Sequence, residues 1–245
     1  MTPALHCKNL SFGFPDRALF HDVNLSVPEG EFCVLIGPNG GGKTTLLRLA
    51  LGFLTPDSGT ITVLGDVPKA GRPIGYVPQD VTSTDDLPLT LMAVTLMGRV
   101  TPRSGRWTKQ DKLCALEALE SMGLAHLQNK RFRELSIGQR QRGLIARALA
   151  SKPRLLLLDE PLSSVDPGAR EQIVECLKEA HKQATVMMVS HDLTIIPDCA
   201  TSIAYVSGGV DYWRGEDMNS RLLEELHRRS CRVCSTVKTR EEEEV

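Results

Sequence analysis

The fold class that the sequence predicts is α/β, with strands buried in a parallel sheet. Residues 34–36 are an unbroken apolar run leading into a glycine cluster, which is typical of a strand covered on both faces. Residues 46–54 then carry a helical pattern, so the order is strand, glycine loop, helix. Apolar runs at 155–158 and 185–189 enclose a predicted helix at 167–181 and repeat that alternation.

Two more strands are predicted ahead of this unit, and one follows it. Residues 5–14 and 19–27 alternate apolar and polar positions on either side of a turn at Pro15 and Asp16. Residues 203–206 predict one more strand, and from Asp217 on a helix and then a charged tail are expected. The chain is therefore predicted to begin with β structure and to finish with a helix and a charged tail.

The middle of the chain predicts a helical lobe inserted at about residues 85–152. Apolar residues recur every three positions in one predicted helix, at Leu113, Leu116, Leu119 and Met122. Ser136 is expected to cap a helix that runs to Ser151, ahead of Pro153, and residues 101–107 are expected to form an exposed loop.

Composition narrows the class of protein. The 245 residues are 41% hydrophobic and 24% charged, as in soluble globular domains, and no apolar run approaches the roughly 20 residues that span a bilayer. Lys and Arg (29) nearly balance Asp and Glu (30), so there is no global basic field and no nucleic-acid partner is expected. Seven scattered cysteines and the lack of a signal-peptide pattern favour a reducing cytosol.

The strongest chemical motif is the glycine-rich stretch at residues 37–44. It matches GxxxxGK[ST] and lies between a predicted strand and a predicted helix. Glycines let successive backbone N–H groups point at phosphate oxygens, and the helix adds its positive end. Lys43 is expected to hold the β- and γ-phosphates, and the Thr44 hydroxyl to ligate Mg²⁺.

A second motif is the acidic pair at the end of the run at 155–158. A buried strand that ends in Asp159 and Glu160 places both carboxylates at the carboxyl edge of the sheet, where ligands collect. Downstream of a phosphate-binding loop, Asp159 is expected to hold Mg²⁺ through water and Glu160 to orient the attacking water.

A third motif, Leu135-Ser136-Ile137-Gly138-Gln139, completes a pattern that resembles the ATP-binding cassette (ABC) family over nearly the entire chain. The family sequence is usually LSGGQ, and Ile137 replaces its first glycine. The resemblance implies a P-loop NTPase (RecA-like) core, an N-terminal antiparallel β-subdomain and an inserted α-helical subdomain. It places the ATPase domain at residues 1–225 and a charged tail at 226–245.

The resemblance also implies roles for single residues. Gln79 looks like the glutamine that senses Mg²⁺ and the attacking water, Asp166 like the loop that crosses a dimer interface, and His191 like the switch histidine on the γ-phosphate. Phe14 occupies the place of the aromatic residue that stacks on adenine; Phe12 is a rival, and both could be core. The implied nucleotide-binding set is Gly37, Pro38, Asn39, Gly40, Gly41, Gly42, Lys43, Thr44, Thr45, Phe14, Ser136, Gly138, Gln139 and Asp166.

The family mechanism implies partners. Two cassettes pair head to tail, and each ATP lies between one P-loop and the partner's Ser136 loop, so a second copy or a homologue is expected. The leading interpretation is the ATPase subunit of an importer on the cytosolic face of the cell membrane, working with membrane permease subunits and a periplasmic or lipoprotein substrate-binding protein. Residues 87–90 and 96–99 resemble the zinc, manganese and iron uptake branch, and less closely the siderophore and cobalamin branch.

Two other classes stay open, a cassette with non-transport work and a module that binds ATP without turnover. No coiled-coil insertion or second cassette is apparent, which disfavours the first, and Lys43, Asp159, Glu160 and His191 are all present, which disfavours the second. In the tail, His227, Cys231 and Cys234 have donor types for zinc but number three where a structural site wants four, so free thiols are favoured.

Overall fold

The computed structural model describes residues 2–69, 74–79, 88–100, 106–163, 165–192, 194, 196–222, 224–226 and 228–229. Leu87, residues 101–105 of the predicted loop, His227 and the tail from residue 230 on lie outside these ranges. The chain divides into two compact units: residues 1–68 with 189–245, and residues 69–188.

In chain order, the elements are β1 (Pro3–Phe14), β2 (Arg17–Pro28), β3 (Phe32–Ile36), α1 (Lys43–Ala50), β4 (Ser58–Val63), β5 (Ile74–Val77), α2 (Leu91–Leu96), α3 (Lys109–Ser121), α4 (Ile137–Ala150), β6 (Leu155–Asp159), α5 (Pro167–His181), β7 (Thr185–Val189), α6 (Ile196–Cys199), β8 (Ser202–Val206) and β9 (Val210–Arg214). Strands and helices alternate through the core, so the predicted α/β class is confirmed. The predicted helix at 167–181 and strand at 185–189 have the observed bounds.

The first unit begins with an antiparallel sheet in the order β2-β1-β4. β1 and β2 form a hairpin across the turn at Pro15 and Asp16, as predicted, and β4 pairs with the other edge of β1. This sheet is the expected N-terminal antiparallel β-subdomain. β4 itself was not predicted from the sequence.

The rest of the first unit carries the glycine loop. All five residues of β3 are buried, β8 runs parallel to it, and β9 pairs antiparallel with β8. The helix predicted at 46–54 starts earlier, at Lys43, and ends at Ala50 because Gly52 adopts a left-handed φ of +73°. The predicted strand, loop and helix order is confirmed.

The second unit combines the strand order β5-β6-β7 with α2, α3, α4 and α5. β5 and β6 are parallel, and every residue of β6 is buried. Ser136 caps α4, and Ser151 follows its last residue, as predicted. α2, α3 and α4 pack on one another within the span predicted for the helical lobe, whose limits stay a prediction.

The amphipathic pattern predicted for α3 is confirmed in part. Leu119 and Met122 are buried, but Leu113 is 49% exposed. The buried face also includes Cys114, Ala115 and Ala118. Small side chains let α3 approach its neighbouring helices closely, and they give a weak hydrophobic pattern in the sequence.

Among the described residues, no helix has both the length and the apolar character needed to cross a bilayer.

Candidate nucleotide site

The glycine loop of the first unit is wrapped around the side chain of Lys43. Its Nζ donates to the Gly37 carbonyl at 2.9 Å and to the Pro38 carbonyl at 2.8 Å. Lys43 is only 6% exposed, and it is the first residue of α1. A cation thus lies inside a loop of backbone groups at the start of a helix, which is the arrangement that holds phosphate.

Neighbouring strands press on this loop from two directions. A Cβ on Gly37 would lie 2.2 Å from the carbonyl oxygen of Val206 at the end of β8, and a Cβ on Gly42 would lie 2.5 Å from the ring of Phe20 on β2. Both glycines also have positive φ, +142° and +108°. A side chain at position 37 or 42 would clash with Val206 or Phe20 and displace the loop. Packing as well as backbone conformation therefore requires glycine at both positions.

His191 lies at the same edge of the first unit as the glycine loop. The Ser190 N–H donates to the Leu35 carbonyl at 3.0 Å, so the chain at His191 continues beside the end of β3. Gly37 follows Leu35 by two residues, and the His191 side chain is exposed. The structure therefore places His191 and the glycine loop, both predicted from the sequence, at the same edge of the first unit.

The two aromatic candidates near the hairpin turn have different surroundings. Phe12 is 7% exposed, whereas Phe14 is 46% exposed, and the two rings meet edge to face at 5.2 Å between centroids. An open pocket of about 500 Å³ is lined by both rings together with Phe20, Ala18 and other residues. Phe14 is thus the more exposed of the two rings, and Phe12 is the buried ring that it contacts edge to face.

In the second unit, the acidic pair ends β6. Asp159 is 2% exposed, and Glu160 follows it with a left-handed φ of +49°. The Gln79 side chain, just after β5, donates from Nε2 to Glu160 Oε2 at 3.0 Å. Ser163 Oγ donates to the Glu160 carbonyl at 3.0 Å. The parallel pairing of β5 with β6 brings Gln79 to Glu160, as their positions after these strands require.

The Ser136 loop is organised by a reciprocal cap. Ser136 Oγ accepts the Gln139 N–H at 3.3 Å, and Gln139 Oε1 accepts the Ser136 N–H at 3.1 Å. A Cβ on Gly138 would lie 3.3 Å from that of Ala169 and 3.7 Å from Asp166 Oδ2, so α4 approaches the start of α5 closely. By contrast, Ile137 is 52% exposed. The four predicted residues Ser136, Gly138, Gln139 and Asp166 therefore share one region.

Asp166 also caps α5, since its Oδ1 accepts the Ala169 N–H at 3.0 Å. Proline at the first position of this helix fits the cap.

Sequence reasoning missed Arg17, whose Nη2 lies 3.3 Å from the Gly40 carbonyl in the glycine loop. No sequence pattern marks this arginine, because the contact depends on the hairpin that places β2 beside the loop. Phe20 was missed for the same reason, and Val206 because its contact depends on the parallel pairing of β8 with β3.

Two described residues with large pKa shifts, Asp111 and Cys33, lie outside the predicted set of site residues. Hydrogen bonds from Thr108, with a further one from Arg99, lower the pKa of Asp111 to about 2. The ion pair has Arg99 Nε 2.9 Å from Asp111 Oδ1, and it ties the turn after α2 to α3. Burial raises the pKa of Cys33 on β3 to about 12, so this thiol stays protonated near neutral pH.

The zinc hypothesis for the tail falls on His227, Cys231 and Cys234, which lie outside the described residues. Elsewhere in the described ranges, no group of three or more His, Cys, Asp or Glu side chains is arranged to hold a metal ion.

Comparison with known proteins adds independent findings. The profile of the ABC transporter family matches residues 20–163. A relative from Chlamydia muridarum, named "Probable metal transport system ATP-binding protein", is 37% identical over 84% of this chain and 89% of its own length. The "Zinc import ATP-binding protein ZnuC" of Alcanivorax borkumensis is 37% identical over 79% of this chain and 71% of its own.

A solved structure agrees with these sequence matches. It is a nucleotide-free ATP-binding cassette from an ABC transporter, 25% identical, with a TM-score of 0.78 over 92% of this chain and 98% of that one.

Proposed function

The chain belongs to the ABC transporter family as an ATP-hydrolysing subunit, and from this premise we propose that it powers uptake of zinc, manganese or iron through separate membrane subunits. The observation that carries the proposal is a Lys43-centred phosphate loop in a chain whose relatives are named for metal transport and zinc import. The P-loop NTPase fold of the cassette accords with the ATPase activity.

ATP binding follows from the first unit. The N–H groups of the loop and the ammonium of Lys43 would hold the phosphates once Lys43 exchanges the Gly37 and Pro38 carbonyls for phosphate oxygens. Thr44 and Thr45 follow Lys43 on α1 and complete the predicted set. The exposed face of Phe14 would stack on adenine, while the edge-to-face contact with Phe12 would fix the orientation of the Phe14 ring.

The proposed Mg²⁺ ligands are Thr44, Gln79 and Asp159. Hydroxyl, amide and carboxylate oxygens are the donors that Mg²⁺ prefers, and Asp159 is a carboxylate with almost no solvent exposure. When bound, the ion neutralises charge that develops on the phosphates.

Glu160 is proposed as the general base and His191 as a hydrogen-bond donor to the γ-phosphate. Glu160 would take a proton from water as the water oxygen bonds to the γ-phosphorus and the bond to the bridging oxygen of ADP breaks. Gln79 holds the carboxylate of Glu160 in one orientation through its 3.0 Å hydrogen bond.

A second cassette is part of the proposal. Ser136, Gly138 and Gln139 would face the nucleotide of the partner, and Asp166 would lie beside them at the interface. Because Ile137 is exposed at this surface, it would contact the partner as well. The identical chain is the proposed partner.

The surface proposed to meet the permease lies in the second unit. Large apolar side chains are exposed there, at Met97, Val100, Trp107 and Leu113. They flank the Arg99–Asp111 ion pair, which holds the turn at Met97–Arg99 against α3. Exposed apolar side chains on a segment held in place by an ion pair are typical of surfaces that bind another protein. Docking would place the chain on the cytosolic face of the cell membrane, with a substrate-binding protein in the same system.

The test is reconstitution with the membrane subunits in liposomes. ATP hydrolysis and uptake should depend on zinc, manganese or iron, and Lys43→Ala should abolish both because ATP no longer binds. Hydrolysis stimulated by a siderophore or cobalamin, and by none of the three free ions, would overturn the proposed substrate class. Unchanged ATP affinity in Lys43→Ala would overturn the phosphate site itself.

A further inference from the structure

The side chain of Arg17 bridges the hairpin turn and the glycine loop. Arg17 is the first residue of β2 and lies opposite Phe14 in the strand register. Its Nη2 donates to the Gly40 carbonyl at 3.3 Å, while the side chain remains exposed. Both partners belong to the first unit.

The accepting carbonyl shares a peptide unit with the N–H of Gly41. In a trans peptide these two groups point in opposite directions, so holding one fixes the other. The Gly41 N–H donates inward to the Pro38 carbonyl at 3.1 Å, beside the oxygens that bind Lys43. Arg17 and Pro38 thus fix the same peptide unit from its two ends.

This peptide unit needs such restraint. Gly40 has a φ of +71°, and glycines stand on both of its sides from residue 40 to residue 42. Rotation of a peptide between two glycines meets little steric resistance. A rotated unit would release the Gly41 N–H from the Pro38 carbonyl and turn the Gly40 carbonyl into the loop, where its dipole would repel the oxygens of a phosphate.

We infer that Arg17 is a positioning residue for nucleotide binding, which holds the Gly40–Gly41 peptide with its N–H directed into the phosphate loop. The inference rests on the proposed ATP site. It requires a hydrogen-bond donor at position 17 and no direct contact between the guanidinium and the nucleotide. If Arg17 instead acted only by attracting phosphate with its positive charge, the neutral variant Arg17→Gln would not recover the affinity.

The experiment compares Arg17→Ala, Arg17→Gln and Arg17→Lys by steady-state ATP hydrolysis and ADP titration of the full-length chain. Loss of about one exposed hydrogen bond should raise the KM for ATP and the Kd for ADP about five-fold in Arg17→Ala, with kcat within about two-fold of wild type. Arg17→Gln, which keeps an N–H donor without charge, should recover most of the affinity. Thermal unfolding should be unchanged in all three, because the side chain is exposed.

Arg48→Ala is the matched control, since it removes an exposed arginine from the last turn of α1 without touching the loop. It should leave the KM unchanged. The inference is overturned if Arg17→Ala binds as wild type, or if Arg17→Lys recovers affinity and Arg17→Gln does not. If Lys43→Ala also bound nucleotide normally, the proposed site would fail. If Lys43→Ala loses nucleotide binding while the Arg17 variants bind as wild type does, only the positioning role of Arg17 is overturned.

Discussion

Gln79 donates a hydrogen bond from Nε2 to Glu160 Oε2 at 3.0 Å, which links the second residue after β5 to the first residue after β6. Glu160 adopts a left-handed backbone conformation with a φ of +49°. For a residue with a Cβ this conformation costs roughly 1–2 kcal/mol. The surrounding contacts, including the Ser163 hydroxyl on the Glu160 carbonyl, therefore hold the proposed base in a position that the chain alone would not favour.

Glu160→Gln should separate ATP binding from hydrolysis. Glutamine keeps the shape and can hydrogen-bond but cannot take a proton, so hydrolysis should slow by about 10²- to 10⁴-fold. Binding should survive because Lys43, Thr44 and Asp159 are unchanged. The variant should then accumulate as an ATP-bound dimer in size-exclusion chromatography with ATP, whereas the isolated wild type should run mainly as monomer.

Glu175→Gln provides the control, because Glu175 is exposed on α5 and pairs only with Lys178 among the contacts observed for it. It should hydrolyse ATP as wild type does. A Glu160→Gln variant with the wild-type rate would remove Glu160 from the mechanism. One that binds ATP yet stays monomeric at high concentration would argue against the two-cassette site.

Gln79→Ala should impair transport while leaving nucleotide binding by the isolated chain intact. The substitution removes the donor to Glu160 and a proposed Mg²⁺ ligand, but it leaves the phosphate loop of the first unit unchanged. ATP affinity without Mg²⁺ should therefore stay within about two-fold of wild type. Metal uptake per ATP hydrolysed should fall in the reconstituted complex, and normal uptake in this assay would exclude Gln79 from coupling.

The sequence was sufficient for the motifs but not for the contacts between them. The glycine loop, the acidic pair and His191 follow buried strands, and a continuous apolar run predicts such strands well. β5 is only four residues long and contains Gly75, so its pattern is too short to detect. The role of Arg17 could not be predicted from the sequence, because its contact joins residues 23 positions apart through a hairpin.

The neighbouring positions Ile137 and Gly138 should respond oppositely to substitution. Ile137→Gly restores the usual family residue at an exposed position, so folding and ATP hydrolysis should be retained. Gly138→Leu would force a side chain against Ala169, Val165 and Asp166, where a Cβ alone already approaches within 3.3 Å. Overpacking typically costs about 1–3 kcal/mol, and the α4–α5 contact would open.

Urea unfolding and ATP-dependent dimerisation of the two variants provide the measurement. Retained dimerisation in Gly138→Leu would show that this close approach is dispensable. Loss of dimerisation in Ile137→Gly would instead make the isoleucine a required part of the interface.

The hydrogen bonds that Thr108 and Arg99 make to the Asp111 carboxylate should leave a pH signature in stability. The pKa of Asp111 is lowered in the folded state from 3.8 to about 2, so its charged form stabilises the fold. That contribution is complete above about pH 4 and is lost as the pH falls towards 2. Asp111→Asn should therefore be less stable than wild type in urea at pH 7, and the gap should shrink below pH 4. A gap independent of pH would mean that packing, rather than charge, is responsible.

The exposed apolar side chains of the second unit give the prediction for permease docking. Met97→Ser combined with Leu113→Ser should leave folding and ATP binding by the isolated chain unchanged, because both side chains are already in contact with solvent. Stimulation of hydrolysis by the membrane subunits should be lost, since the contact depends on burying apolar area. Val67→Ser, at a more exposed apolar residue in the first unit, is the control and should retain stimulation. Normal stimulation and co-purification in the double variant would place the permease contact elsewhere, whereas lost co-purification with intact ATP binding would assign it to this surface.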